Sequence, residues 1–327
     1  MTNRRNWILI GLAVLLAVAV GLFLNKRGSS TPDGGKKQIY VFLPSVENPF
    51  WLDVRQGVER EAEKLGASFE VRIVTTASTD GSDQIDQMST AIARGRVDAV
   101  VLAPTNDRAP APIVAQLNKK GAKVVLIDTE LNPEAAKQVG ATWDGFVGSD
   151  NRLGGKMAAE AISDALKSVS GPKSVLLLKG SYVHQSAVDR AEGFVQAAKP
   201  AALRVIERSA EWSKQTANEM TQSQFSREPV SAIFASNDEM ALGAVAALQQ
   251  LKIPSGKWPI IVGFDATQDA RAAIRAGTMY GSIRQQSAEM GASGIRRAAE
   301  LIQSWGTGNP QAKTLVPVDV VTKANVQ

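Results

Sequence analysis

The strongest constraint on this chain is a unit that recurs along most of it. A short apolar run stops at a polar residue, and a segment of helical period follows. Ile233-Phe234-Ala235-Ser236-Asn237-Asp238-Glu239-Met240-Ala241-Leu242-Gly243-Ala244 shows it in compact form. The apolar residues read as a buried strand. Ser236 with Glu239 three residues on reads as a capping box, and Asp238 and Glu239 put negative charge on the positive end of the helix dipole. Asn237 then lies where strand becomes helix, at the carboxyl edge where open α/β sheets bind ligands. About two dozen residues later Ile260-Ile261-Val262-Gly263-Phe264 ends in the same way, at Asp265. Either residue alone reads equally well as a helix cap. Together, an amide and a carboxylate on neighbouring strand tips can donate to and accept from a hydroxyl-rich ligand.

Taken in order, strands are expected at 39–43, 69–74, 99–102, 124–127, 174–178, 203–207 and, after the opening stretch, 260–262 and 280–283. Helices are expected at 49–65, 83–94, 113–120, 153–166, 187–198, 214–226, 270–276 and 288–304, and a closing strand at 315–321. Strands alternating with helices predict α/β architecture, with parallel sheets covered on both faces. The alternation breaks at 130–150, which divides the chain into two successive α/β domains. At 327 residues and 44% apolar side chains there is material for both cores.

The first 37 residues stand apart. Residues 7–24 form an apolar run broken only by glycine, between Arg4-Arg5 and Lys26-Arg27. The run is just long enough for a bilayer span, and Trp7 suits its interface. A cleaved signal peptide would have a shorter core, with Ala17-Val18-Ala19 as its cleavage site; the length favours an uncleaved signal anchor over residues 1–27. In both readings the remainder is periplasmic or otherwise extracytoplasmic. Residues 28–37 (GSSTPDGGKK) read as a flexible tether. This end also explains the pI of about 9.4. Residues 1–27 carry four basic side chains and no acid, and residues 28–37 a net charge of +1, so Gln38 onward is neutral against a total of +5. No nucleic-acid partner is implied.

Enzyme signatures are missing from the sequence. It has no Walker A loop, no G-x-G-x-x-G after a strand, no G-x-S-x-G and no H-E-x-x-H. It has no cysteine, which removes disulfides, thiolate metal sites and a lipid-modified cysteine, and its one histidine, His184, reads as a surface-loop residue. No cofactor and no metal are expected. Polar and aromatic residues do gather after strands: Asn48-Pro49-Phe50-Trp51, Asp128, Arg190 and Trp212. Aromatic planes against a sugar ring, with Asn, Asp and Arg at its hydroxyls, are the physics of sugar recognition. The plainer readings are core packing for Phe50 and Trp51 and a surface ion pair for Arg190.

At this point a resemblance enters. Asn48-Pro49-Phe50-Trp51, Ser149-Asp150-Asn151 with Leu153-Gly154-Gly155-Lys156, Arg190 with Glu192-Gly193-Phe194, residues 237–244 and Val262-Gly263-Phe264-Asp265 resemble, in this order and spacing, the periplasmic sugar-binding proteins of the ribose/galactose type. These are the solute receptors of ABC importers, and the resemblance runs from Gln38 to the end. It implies the type I periplasmic binding fold: two Rossmann-like parallel-sheet domains joined by a three-segment hinge near residues 149, 285 and 316, here preceded by an N-terminal apolar helix. One lobe would be 38–149 plus 286–315, the other 150–285 plus 316–327. By the same resemblance Asn48, Asp128, Arg190, Asn237, Asp265 and Gln285 would bond sugar hydroxyls, and Phe50, Trp51 and Trp212 would stack on the ring; Gln285 rests on the resemblance alone. Ribose binders carry Asp-Arg where this chain has Asp128-Thr129, and threonine does not replace a bidentate guanidinium. That disfavours ribose itself and leaves another pentose, a hexose, a polyol or a related signal molecule open. The implied partner is an ABC permease, with the receptor acting as a monomer anchored in the membrane by its N-terminal segment. The alternative is a sensory module signalling to a chemoreceptor or kinase. A repressor of the same fold would carry a helix-turn-helix where this chain has its apolar run.

Overall fold

The computed structural model describes residues 35–78, 82–169, 173–304 and 312–326. The expected apolar helix and most of the tether lie outside the described residues. Among those described, no helix is long and apolar enough to cross a membrane.

The described residues build two six-stranded sheets. The first is made of β1 (Lys37–Leu43), β2 (Phe69–Thr75), β3 (Ala99–Leu102), β4 (Lys123–Ile127), β5 (Gly145–Ser149) and β11 (Ala312–Val316), in the order β2-β1-β3-β4-β5-β11, all parallel. The second is made of β6 (Lys173–Lys179), β7 (Leu203–Ser209), β8 (Ala232–Ala235), β9 (Ile260–Asp265), β10 (Gly281–Gln285) and β12 (Val318–Thr322), in the order β7-β6-β8-β9-β10-β12. Only β12 runs antiparallel, against β10. In each sheet the order reverses beside the first strand, the position at which doubly wound sheets open a crevice at their carboxyl edge.

Helices cover both faces. α1 (Pro49–Leu65), α2 (Gln84–Ala93), α3 (Ala111–Lys119), α4 (Pro133–Val139) and α10 (Ser287–Gln303) pack on the first sheet. α5 (Asn151–Ala165), α6 (Gln185–Ala198), α7 (Lys214–Arg227), α8 (Asp238–Gln250) and α9 (Gln268–Ala276) pack on the second. Central strands such as β3 (AVVL) and β8 (AIFA) are buried at every residue, which is why they read as unbroken apolar runs rather than alternating ones. The chain passes between the sheets three times: from β5 into α5, from β10 into α10, and from β11 into β12.

Three details differ from the sequence reading. The alternation does not break at 130–150: α4, capped by Asn132 (Oδ1 accepting from the Ala135 N–H at 3.1 Å), leads into β5. A seven-residue helix and a strand spelled Gly-Phe-Val-Gly-Ser give too little periodicity to be seen. The single closing strand at 315–321 is two strands, parted at Pro317, whose nitrogen has no hydrogen to give to a ladder. The capping box at Ser236 does not form; Asn237 is the N-cap of α8 and accepts from the Met240 N–H at 2.8 Å.

Candidate functional site

The carboxyl edge of the second sheet is organised around Arg190. Its helix α6 lies backbone-to-backbone on α5 because both carry glycine at the crossing. A Cβ on Gly155 would stand 2.0 Å from the Arg190 carbonyl oxygen, and one on Gly193 2.1 Å from that of Arg152. Arg190 is 3% exposed, so the expected surface ion pair is replaced by a buried guanidinium. Its Nε donates to Asn151 Oδ1 (2.8 Å) and its Nη1 to the Ser236 carbonyl (2.7 Å), and the group lies 3.8 Å from the Phe264 ring centroid. Burial disfavours its charge, while Asp265, Asp128 and Asp238 favour it. A guanidinium keeps its proton in such a place. Among the described residues Nη2 has no hydrogen-bond partner.

Asp265 ends β9 beside it, 3.9 Å from Arg190 Nη1, and its Oδ1 accepts from Gln285 Nε2 at 2.6 Å. Burial pushes its carboxyl well above the usual range, and the Arg190 charge pulls it part of the way back. Its φ of 114° and that of Ala266 (53°) are conformations that side chains other than glycine rarely adopt, so the strand tip is held under strain. Gln285 Oε1 and Ser236 Oγ are buried without partners, as is Ser149 Oγ at the end of β5. Buried polar atoms are nearly always hydrogen-bonded. Ser236 and Gln285, at strand ends of the second sheet, mark a place a polar ligand can complete.

Behind Asp265 stands a second buried acid. Asp238 accepts from Ser282 Oγ (2.6 Å) and from the Thr267 N–H (2.7 Å). Gly263 makes room for it, since a Cβ there would be 2.2 Å from its Oδ1. Burial pushes this carboxyl up to about 7. Asn237 spends Oδ1 on its cap, and its Nδ2 reaches the Trp212 carbonyl only at 3.5 Å. Trp212 sits in a turn with φ of 63°, its ring 5.6 Å from the Arg190 guanidinium. Asp128, at the end of β4 with φ of 62°, accepts from Thr129 Oγ1 at 2.9 Å and contributes its charge at Arg190.

Arg190, Trp212, Asn237, Asp265, Gln285 and Asp128 with Thr129 thus fall into one connected neighbourhood drawn from both sheets. The residues before and in α1 are placed differently. Asn48 is the N-cap of α1, its Oδ1 accepting from the Phe50 N–H at 3.0 Å. Phe50 is buried in the core between the first sheet and its helices, which accords with the plainer reading. Trp51 meets it edge-on at 4.8 Å and is only half-buried. Two residues further Asp53 accepts from Ser287 Oγ (3.5 Å), just past Gln285, and the charge of Arg271 on α9 acts on it; burial is nevertheless the larger influence and raises its pKa.

Asn151, Asp238 and His184 were missed in the sequence. Asn151 and Asp238 open helices after strands, the position that drew attention to Asn237, so the same rule applied throughout would have found them. Nothing in the sequence marks His184. It is half-buried and bonded to Trp212 rather than a free loop residue.

Two largely parallel sheets of flavodoxin-like order, three crossovers and a polar cluster where the carboxyl edges meet describe a two-lobed binding protein. Residues 39–307 match the family of the periplasmic binding protein domain. The chain belongs to that family. Among its relatives, the ribose import binding protein of Bacillus subtilis (strain 168) is 30% identical over 298 residues, covering 90% of this chain and 92% of the relative. The D-allose-binding periplasmic protein of Escherichia coli (strain K12) is 29% identical over 280 residues, 85% of this chain and 86% of the relative. A solute-binding protein of an ABC transporter from Actinobacillus succinogenes 130z, solved with bound D-allose, superposes with a TM-score of 0.79 at 25% identity, over 88% of this chain and 98% of that one. These relatives are binding proteins, not enzymes, and membership in the family implies an extracytoplasmic location.

Proposed function

We propose that this protein is an exported receptor that captures a monosaccharide or similar polyol between two closing lobes and delivers it to an ABC importer. The lobes are 38–149 plus 286–315 and 150–285 plus 316–327. Residues 7–24 tether the receptor, which works as a monomer. The observation that carries the reading is the hydrogen-bonding inventory around Arg190. Arg190 Nη2 and Asn237 Nδ2 supply donors, the Asp265 and Asp128 carboxylates and Gln285 Oε1 supply acceptors, and Trp212 supplies an aromatic plane beside them. That mixture suits a small ring bearing hydroxyls, each of which both donates and accepts. Asn48 and Trp51 complete the site from the first lobe, with Phe50 backing Trp51. Thr129 spends its hydroxyl on Asp128, so it holds that carboxylate in place and supplies no guanidinium from the first lobe. A ligand that contacts both lobes favours the closed form by its differential affinity for it.

The test is calorimetric titration against pentoses, hexoses and polyols, with D-ribose and D-allose included. One-to-one binding of one sugar, lost in Asn237→Ala and Asp265→Ala, is expected. No heat from any of them, with protein shown to be folded and free of carried-over ligand, would overturn the sugar reading.

A further inference from the structure

The single histidine stands at a junction that the sugar reading does not use. His184 leads into α6, on the second sheet's side, and its ring has a partner at each nitrogen. Nδ1 takes a hydrogen bond from Trp212 Nε1 at 2.9 Å, and Nε2 lies 3.1 Å from the Thr105 carbonyl oxygen. An indole N–H can only donate, so Nδ1 is the bare nitrogen; a carbonyl can only accept, so Nε2 carries the hydrogen. One neutral tautomer satisfies both ends. Thr105 follows β3 of the first sheet, whereas His184 and Trp212 follow β6 and β7 of the second. The imidazole therefore reaches from a proposed ligand-stacking ring to the backbone of the other lobe.

Trp212 is fixed at two further points. Gly180 lies against the indole so closely that a Cβ would stand 2.3 Å from Cε2 and Cζ2. The backbone at Trp212 holds φ of 63°. Gly180 packs beside the N–H side of the indole, and the bond to His184 gives that N–H its polar partner.

We propose that His184 is a positioning residue for ligand capture: it orients Trp212 and, on closure, latches the second lobe to the Thr105 carbonyl of the first. The ligand half of this rests on the sugar-receptor reading; the tautomer and the latch do not. The Trp212 bond lies within one lobe and can persist when the cleft opens. The Thr105 bond runs from one lobe to the other, so an opening that parts them breaks it and the bond shifts the open–closed equilibrium by its worth, about fivefold.

One histidine gives one pair of ring nitrogen resonances in the 15N-histidine-labelled protein. The expected spectrum is that of an Nε2–H tautomer with a hydrogen-bonded Nδ1, whose resonance moves in Trp212→Phe because the indole N–H is gone. An Nδ1–H tautomer, or a resonance indifferent to Trp212→Phe, would overturn the orienting role. Stopped-flow release of D-allose or D-ribose supplies the second readout. His184→Ala is expected to release sugar about five- to tenfold faster, and His184→Asn, whose Oδ1 can stand in for Nδ1, to recover part of that. Equal rates in all three proteins would overturn the positioning role. If neither sugar binds the wild type, the sugar reading fails for those two probes on its own. The latch is then decided by small-angle scattering: His184→Ala should have a larger radius of gyration than the wild type, and equal radii would refute it.

Discussion

Gly155→Ala tests how the scaffold holds Arg190. The added Cβ would stand 2.0 Å from the Arg190 carbonyl oxygen, 2.9 Å from its carbonyl carbon and 2.9 Å from the Phe194 nitrogen. Ordinary contact begins at 3.4 Å, so α5 and α6 must part by about 1.4 Å. All three obstructing atoms are backbone, and no side-chain rotamer can absorb the movement. Two effects compete. Alanine in place of glycine inside a helix stabilises by about 1 kcal/mol. Overpacking costs about 1–3 kcal/mol, and a backbone clash belongs at the upper end. The cost wins by about 2 kcal/mol, which in a domain pair of this size lowers the melting temperature by roughly 4–6 °C. The same displacement acts on the residue that donates to Asn151 and Ser236, so sugar affinity should fall with stability. Urea unfolding and calorimetric titration of the variant measure both. Stability equal to or above that of the wild type would refute the reasoning, because the propensity gain would then exceed the packing cost.

Other outcomes follow from the same neighbourhood. Arg190→Met keeps an apolar stem over Phe264 but removes the unpartnered Nη2 donors; at about 1.5–3 kcal/mol per charge-assisted bond, affinity for the preferred sugar should fall at least tenfold, and a calorimetric change under threefold would count against a ligand role. Arg190→Lys should not rescue it, since an ammonium cannot reproduce the planar fork. Asp238 holds a proton up to about pH 7, one that an unfolded carboxyl surrenders near 4, so the folded state binds more protons across that window. Its burial therefore lowers stability progressively as pH rises from about 4 to 7. Asp238→Asn, which cannot ionise, should gain on the wild type between pH 5 and pH 8 in urea titrations; a difference that stays flat with pH would mean the carboxyl is already ionised at pH 5. Gly57→Ala should destabilise through the matching crossing of α1 and α10, where a Cβ would stand 1.9 Å from the Ala288 carbonyl oxygen; its effect on sugar affinity at a fixed, fully folded temperature should be smaller than that of Gly155→Ala.

The strands that sequence reading placed best are those with a fully buried, β-branched interior, because a parallel sheet covered on both faces leaves no polar residue to interrupt the run. β5 escaped because two of its five residues are glycine, and β11 and β12 were merged because nothing but Pro317 separates them. At the site, Asn237 and Asp265 were legible from position alone. Asp128, Arg190 and Trp212 stood out only as polar or aromatic residues near strand ends, and Gln285 only through the resemblance. His184 was not legible at all. Its partners lie 28 and 79 residues away in the chain, and a side chain whose role depends on two distant contacts leaves no local pattern. The burial of Arg190 belongs to the same class, since it depends on three elements meeting.

The eleven positions from Ala312 to Thr322 supply an edge strand to each sheet. Neither sheet can therefore be completed until this one segment is in place. With three passages between the sheets, no single cut in the chain can part the two lobes.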